Sequence, residues 1–294
     1  MPDIYIRGVP MTLLKANTNH HKADRNHRRR RPPFIRWVVI VTTLFSAVAT
    51  NGTERHEQHP TVFLAGDSTM APKLAKKRPE TGWGEALQAK CDPHTLAVYN
   101  HARNGRSTRT FIEEGRWQTI VNAAQPGDFV MIQFGHNDAS EHKLDRYTPP
   151  DQYRNNLRRF VHDVRAISAN PILLTPVMRR RFDERGNFYD THGRYAHIVR
   201  EVARTEGVPL VDMHALSGAI LLTLGEAQSR ELYLILEPGD SENYPEGLDD
   251  NTHFSPLGAE MMAKLVVDDL RRQNLPLAAL LACETGPRAD SKTK

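Results

Sequence analysis

Phe63-Leu64-Ala65-Gly66-Asp67-Ser68-Thr69-Met70 is the stretch on which the fold turns. The apolar run at 61–65 is short, β-branched and aromatic, and a glycine closes it, which predicts a buried strand. Gly66 permits a sharp turn without a Cβ clash. Ser68 then lies just past the carboxyl end of a strand, where open α/β sheets bind their ligands. Similar apolar runs at 97–100, 129–134, 172–175 and 209–211 predict four more strands. Helical patterns fall between and after them, at 84–90, 108–124, 152–168, 191–206, 216–224 and 256–273. Alternating strands and helices argue one α/β domain with a five-stranded parallel sheet covered on both faces. Right-handed crossovers place every strand's carboxyl end at one sheet edge.

Three further segments meet that edge. Asn100-His101-Ala102-Arg103-Asn104-Gly105-Arg106-Ser107 follows one strand, and Phe134-Gly135-His136-Asn137-Asp138 follows another. Asp250-Asn251-Thr252-His253 precedes the last helix. Together they hold the parts of an acyl-transfer site. A serine hydroxyl needs a base to become a nucleophile, and His253 is the candidate. Asp250, three residues earlier, would sit beside the imidazole if the chain made one helical turn, fixing its tautomer. The oxyanion needs donors aimed in advance: the Ser68 and Gly105 N–H groups and the Asn137 amide are the candidates. Each block also has a plain structural reading, as turn, helix cap or surface histidine. Their joint occurrence at strand and helix ends favours the chemical one.

These blocks, with Gly82-Trp83-Gly84 and Leu174-Thr175-Pro176-Val177 followed by Arg179-Arg180, resemble the SGNH (GDSL-type) hydrolases. More narrowly they resemble the rhamnogalacturonan acetylesterases, carbohydrate esterase family 12, over residues 60–275. The resemblance implies a flavodoxin-like three-layer α/β/α fold and an esterase that deacetylates a pectic polysaccharide through an acetyl-Ser68 intermediate. Lipase, thioesterase or xylan acetylesterase activity, or glycan binding without catalysis, are the alternatives the same fold leaves open. A galacturonate chain is polyanionic. Arg103, Arg106, Arg109 and the run Arg179-Arg180-Arg181 stand next to predicted strand ends, suited to carboxylates. Their alternative role is pairing with Glu113, Glu114 or Asp183. Trp83 and Tyr244 are candidates to stack on sugar, or else pack within the protein.

The chain has 294 residues and a net charge of +4. Residues 1–50 hold nine Lys or Arg against two Asp, a charge of +7, which leaves −3 for the rest. The basic excess therefore belongs to the amino-terminal segment and gives no ground for a nucleic-acid partner. That segment runs from the arginines at 28–31 into a mostly apolar stretch ending Ala47-Val48-Ala49. It reads as an export signal over 1–50, or as an uncleaved membrane anchor over 34–50, with a linker at 51–59 and a tail at 276–294. An exported, periplasmic or extracellular enzyme is expected. Cys91 and Cys283 alone do not imply a disulfide. No cofactor is implied: Asp250-x-x-His253 lacks companions at metal-site spacing, and phosphate-cradling glycine motifs are missing.

Overall fold

The computed structural model describes residues 59–91 and 96–281. The proposed export segment and Cys283 lie outside them. Strands β1 (Val62–Gly66), β2 (Val98–Asn100), β3 (Phe129–Gln133), β4 (Asn170–Leu174) and β5 (Leu210–Val211) form one sheet in the order β2-β1-β3-β4-β5. All four pairings are parallel. The five expected strands therefore exist, in the flavodoxin-like order. That order reverses direction between β1 and β3, the point at which such sheets bind ligands.

Every residue of β1 and β3 is buried, as expected of central parallel strands covered on both faces. Alternate side chains divide between two cores. Val62, Leu64, Met131, Ile172 and Leu174 pack with α1 (Trp83–Lys90), α6 (Met213–Ser229), α7 (Pro256–Arg272) and α8 (Pro276–Leu280). Phe63, Ala65, Val130, Ile132 and Leu173 pack with α2 (Thr108–Glu113), α3 (Arg116–Ala123), α4 (Pro150–Ala166) and α5 (Gly193–Glu206). The single helix expected over 108–124 is two, because Gly115 takes φ 71° between them. The expected tail begins later than residue 276: Leu277 and Leu281 are fully buried in the first core, each such side chain contributing about 1.5–3 kcal/mol.

An element the sequence reading left out completes the domain. β6 (Tyr233–Leu236) and β7 (Leu248–Phe254) form an antiparallel hairpin. Their register is irregular. Tyr233 pairs with Phe254 while its neighbour Leu234 pairs with Asp250, so Asn251, Thr252 and His253 are pushed out of the ladder.

Candidate active site

Ser68 follows β1 in a turn that Asp67 builds. One Asp67 oxygen accepts the Thr69 backbone N–H at 2.9 Å and the Thr69 hydroxyl at 2.8 Å. The other accepts from His136 Nδ1 at 3.2 Å. Burial works against the Asp67 charge, but the His136 and Thr69 donors hold its carboxyl below the usual range. Burial depresses the His136 pKa, and the Asp67 carboxylate opposes that shift. The turn is thus locked to the loop after β3, leaving the Ser68 hydroxyl at the cleft surface.

Asp250 and His253 lie on β7 and its outward bulge, which corrects the expected helical turn. The bulge is organised by Asp250 itself. Its Oδ1 accepts the backbone N–H of Thr252 at 2.8 Å and of His253 at 3.0 Å. Its Oδ2 meets His253 Nδ1 at 2.7 Å. Desolvation would raise the Asp250 pKa, but the His253 contact and the two backbone donors together bring it down to about 2. The ionised carboxylate accepts from Nδ1–H, so the Nε2 lone pair remains for Ser68. The Ser68 hydroxyl stands 2.9 Å from Nε2 and donates to it.

The Gly105 loop lies after β2. Gly105 takes φ +77°, a conformation that favours glycine. Asn137 follows Gly135, which has φ +148° and where a Cβ would lie 2.8 Å from the Pro176 ring. The Asn137 amide donates one hydrogen to the Arg106 carbonyl at 2.9 Å, leaving the second for a ligand. Among the described residues, the Ser68 and Gly105 N–H groups have no acceptor. Ser68, Gly105, Asn137, Asp250 and His253 all line one cleft of about 690 Å³.

The arginines differ in their surroundings. Arg179 lines the cleft and is half-buried; it donates to the His136 carbonyl at 3.2 Å and to Thr191 Oγ1 at 3.4 Å. Arg179, Lys77 and Lys143 line the cleft without any ion pair among the described residues, whereas Arg106 lines it but pairs with Glu114 at 2.9 Å. Arg109 pairs with Glu113 at 3.0 Å and holds the carbonyls of Leu144, Asp145 and Tyr147, while Arg103 is exposed outside the cleft lining. Arg180 is a correction. It is 7% exposed and bonds Asn251 Oδ1 at 2.7 Å, Ser229 Oγ at 3.1 Å and the Glu226 carbonyl, while its backbone N–H donates to the Asn251 carbonyl. It braces the β7 bulge and does not face substrate. Trp83 is a second correction: it is 0% exposed, and its indole N–H donates to Gln133 Oε1 at 2.7 Å. A fully enclosed ring cannot stack on sugar. Tyr244 does line the cleft.

Four participants escaped the sequence reading. Asp67 and His136 lock the serine turn. Asp138 binds the first turn of α2, accepting the Thr108 N–H at 2.9 Å and hydroxyl at 2.6 Å, and burial pushes its pKa up to about 7. Lys73, whose side chain is wholly buried, bonds the Ser68 carbonyl at 2.5 Å. Asp67 adjoins the serine and His136 adjoins Asn137, so proximity to the motif residues was the available signal. Lys73 offered none.

Among the described residues, no group of three or more His, Cys, Asp or Glu could hold a metal ion, and no helix is long and apolar enough to cross a membrane. A hydroxyl on a histidine, an ionised acid behind it and three free donors beside it constitute the equipment for acyl transfer through a covalent ester.

The model of the GDSL-like Lipase/Acylhydrolase family matches residues 64–261. Rhamnogalacturonan acetylesterase RhgT of Bacillus subtilis (strain 168) is 38% identical over 225 residues, covering 76% of this chain and 95% of the relative. From the same organism, "Probable rhamnogalacturonan acetylesterase YesY" is 36% identical over 217 residues, covering 74% of this chain and 94% of the relative. The crystal structure of protein YxiM from Bacillus subtilis superposes with a TM-score of 0.63 at 27% identity, covering 74% of this chain. The match takes in only 58% of that longer protein.

Proposed function

The chain belongs to the GDSL-like lipase/acylhydrolase family and is a carboxylic ester hydrolase, and we propose that it removes O-acetyl groups from rhamnogalacturonan, a pectic polysaccharide, through an acetyl-Ser68 intermediate. The observation that carries the mechanism is the continuous chain Ser68–His253–Asp250, at 2.9 and 2.7 Å. In this reading Ser68 Oγ attacks the acetyl carbonyl as its proton passes to His253 Nε2. Asp250 stabilises the imidazolium that results. The carbonyl oxygen, now an alkoxide, is met by the Ser68 and Gly105 N–H groups and the Asn137 amide. Collapse breaks the ester bond, and the departing sugar oxygen takes the proton from Nε2. Water then gives a proton to His253, attacks the acetyl-serine and releases acetate, restoring Ser68.

The pectic substrate is supported by the names of the two Bacillus subtilis relatives and by the three cations that line the cleft without ion pairs. Arg179 is the best placed to receive a galacturonate carboxylate, since it is partly desolvated and its guanidinium keeps free donors. Residues 1–50 fit an export signal, which would deliver the enzyme to an extracellular polymer.

Acetate release from acetylated rhamnogalacturonan and from acetylated xylan, each compared with 4-nitrophenyl acetate, tests this reading. The expected preference is for the pectic polymer. Arg179→Ala should raise KM for that polymer about tenfold or more, the loss of one charged hydrogen bond, and change kcat/KM for 4-nitrophenyl acetate by less than about threefold. Faster turnover of xylan, or equal losses on both substrates in the variant, would sink the pectic assignment and leave the esterase.

A further inference from the structure

Lys73 occupies an unusual place for a lysine. Its side chain is completely buried. Its ammonium donates to the Ser68 carbonyl at 2.5 Å and to Asn104 Oδ1 at 3.0 Å. It also stands 2.6 Å from Glu80 Oε1, an ion pair whose angle falls outside hydrogen-bond geometry. Two hydrogen bonds and one ion pair thus surround the ammonium. Burial depresses the Lys73 pKa and the Glu80 carboxylate opposes that shift. Burying a charge is costly, and one removed from water this far from any bulk solvent role is retained only where well-placed partners compensate it.

The partners matter more than the burial. Ser68 carries both the nucleophile and one free N–H. Asn104 precedes Gly105, whose N–H is a second free donor. The two lie on different loops, after β1 and after β2. Glu80, further along the same connection from β1 to α1 as Ser68, places Oε1 3.9 Å from His253 Nε2 and lines the cleft. One ammonium therefore ties together the serine turn, the loop carrying a second oxyanion donor and a carboxylate beside the base. Other links between the first two loops exist: Arg103 N–H donates to the Gly66 carbonyl at 3.0 Å and Asn100 Nδ2 to the Met70 carbonyl at 2.9 Å. Both act on residues two positions from Ser68, whereas Lys73 grips Ser68 itself and the residue adjoining Gly105.

We infer that Lys73 is a positioning residue of the ester hydrolysis, a strut that sets the spacing between the Ser68 nucleophile and the Ser68 and Gly105 oxyanion donors, with Glu80 as its charge anchor. This rests on the acetyl-Ser68 mechanism proposed above. Lys73 touches neither substrate nor the reacting atoms. Its effect is geometric, and a misplacement of about 1 Å at such a site lowers turnover about a hundredfold.

Lys73→Met preserves length and removes the charge, but leaves Glu80 buried without its partner and can lose stability for that reason alone. The informative variant is therefore the double change Lys73→Met with Glu80→Gln. Relative to Lys73→Met, it should recover most of the lost Tm. Its kcat on 4-nitrophenyl acetate should nevertheless stay at least about tenfold below the parent, with KM within about threefold. A double variant that recovers Tm and also the parent kcat would make Lys73 a purely structural residue and overturn the inference. Asn104→Ala, at a half-exposed loop position, gives a second reading should the double variant not fold: kcat should fall several-fold with KM unchanged, and an unchanged kcat would count against the strut. Ser68→Ala is the accompanying control. If it keeps activity, the acetyl-serine mechanism falls and the strut with it. If it is inactive while the double variant and Asn104→Ala both turn over normally, only the strut fails.

Discussion

Asp250 and Asp138 each organise one side of the same cleft, and they stand at opposite ends of the carboxylate range. Asp250 holds the β7 bulge that carries His253, accepts two backbone N–H groups and an imidazole N–H, and has its pKa lowered to about 2. Asp138 adjoins Asn137 and holds the start of α2, but it is fully buried. Its Oδ2 has no hydrogen-bond partner, and its pKa is pushed up to about 7. The balance of burial against partners separates the two: full burial outweighs the donors at Asp138, whereas at Asp250 the His253 contact and two backbone donors outweigh desolvation. The charged one is in the position to stabilise an imidazolium. The other positions a loop.

Breaking the charged side should have the larger effect. Asp250→Asn keeps a carbonyl for the Thr252 and His253 N–H groups but turns an amide N–H₂ toward Nδ1. His253 would then present the wrong tautomer to Ser68, and kcat should fall about 10⁴-fold with the bulge intact. Steady-state kinetics on 4-nitrophenyl acetate, alongside circular dichroism, check this; a loss under tenfold would mean that Asp250 only shapes the bulge. Asn137→Ala, next to Asp138, comes second. It removes a donor that acts on the transition-state oxyanion, so kcat should drop about 10²–10³-fold with little change in KM. A rise in KM alone would reassign Asn137 to substrate binding.

Asp138 itself should affect stability rather than turnover. Between its ordinary value near 4 and its folded value of about 7, the folded chain holds a proton that the unfolded chain has released. Stability therefore falls as pH rises through that window, by an amount on the order of 4 kcal/mol at about 1.4 kcal/mol per pH unit. Asp138→Asn cannot ionise. Its Tm should gain on the parent's between pH 4 and pH 8; a constant difference across that range would contradict the raised pKa.

The same contrast explains what was legible in the sequence. Ser68, Gly105 and Asn137 follow strands whose apolar runs announce themselves, so their arrival at one sheet edge was readable from the chain order. The hairpin was not. β7 reads Leu248-Asp249-Asp250-Asn251-Thr252-His253-Phe254, too polar for any strand signal. Its shape comes from backbone pairing with β6 and from Asp250 bonding to its own chain, neither of which has a periodicity. Pairing of Asp250 with His253 was foreseeable from their separation, but the bulge that achieves it was not. Arg180 and Trp83 misled for a related reason: local sequence shows a charge or a ring near a motif, whereas burial is set by segments tens of residues away, here Ser229, Asn251 and Gln133.

The catalytic roles given to Asp250 and Asn137 depend on Ser68 being the group that is acylated. Rapid mixing with 4-nitrophenyl acetate at low pH, followed by acid quenching and peptide mass spectrometry, measures that directly. The mechanism predicts a single added acetyl group on the peptide containing Ser68, located on Ser68 by fragmentation, and none in Ser68→Ala, which should lose at least about 10⁴-fold in kcat while unfolding at the parent's Tm. An acetyl group on another residue, or a Ser68→Ala enzyme that still turns over at the parent rate, would contradict it.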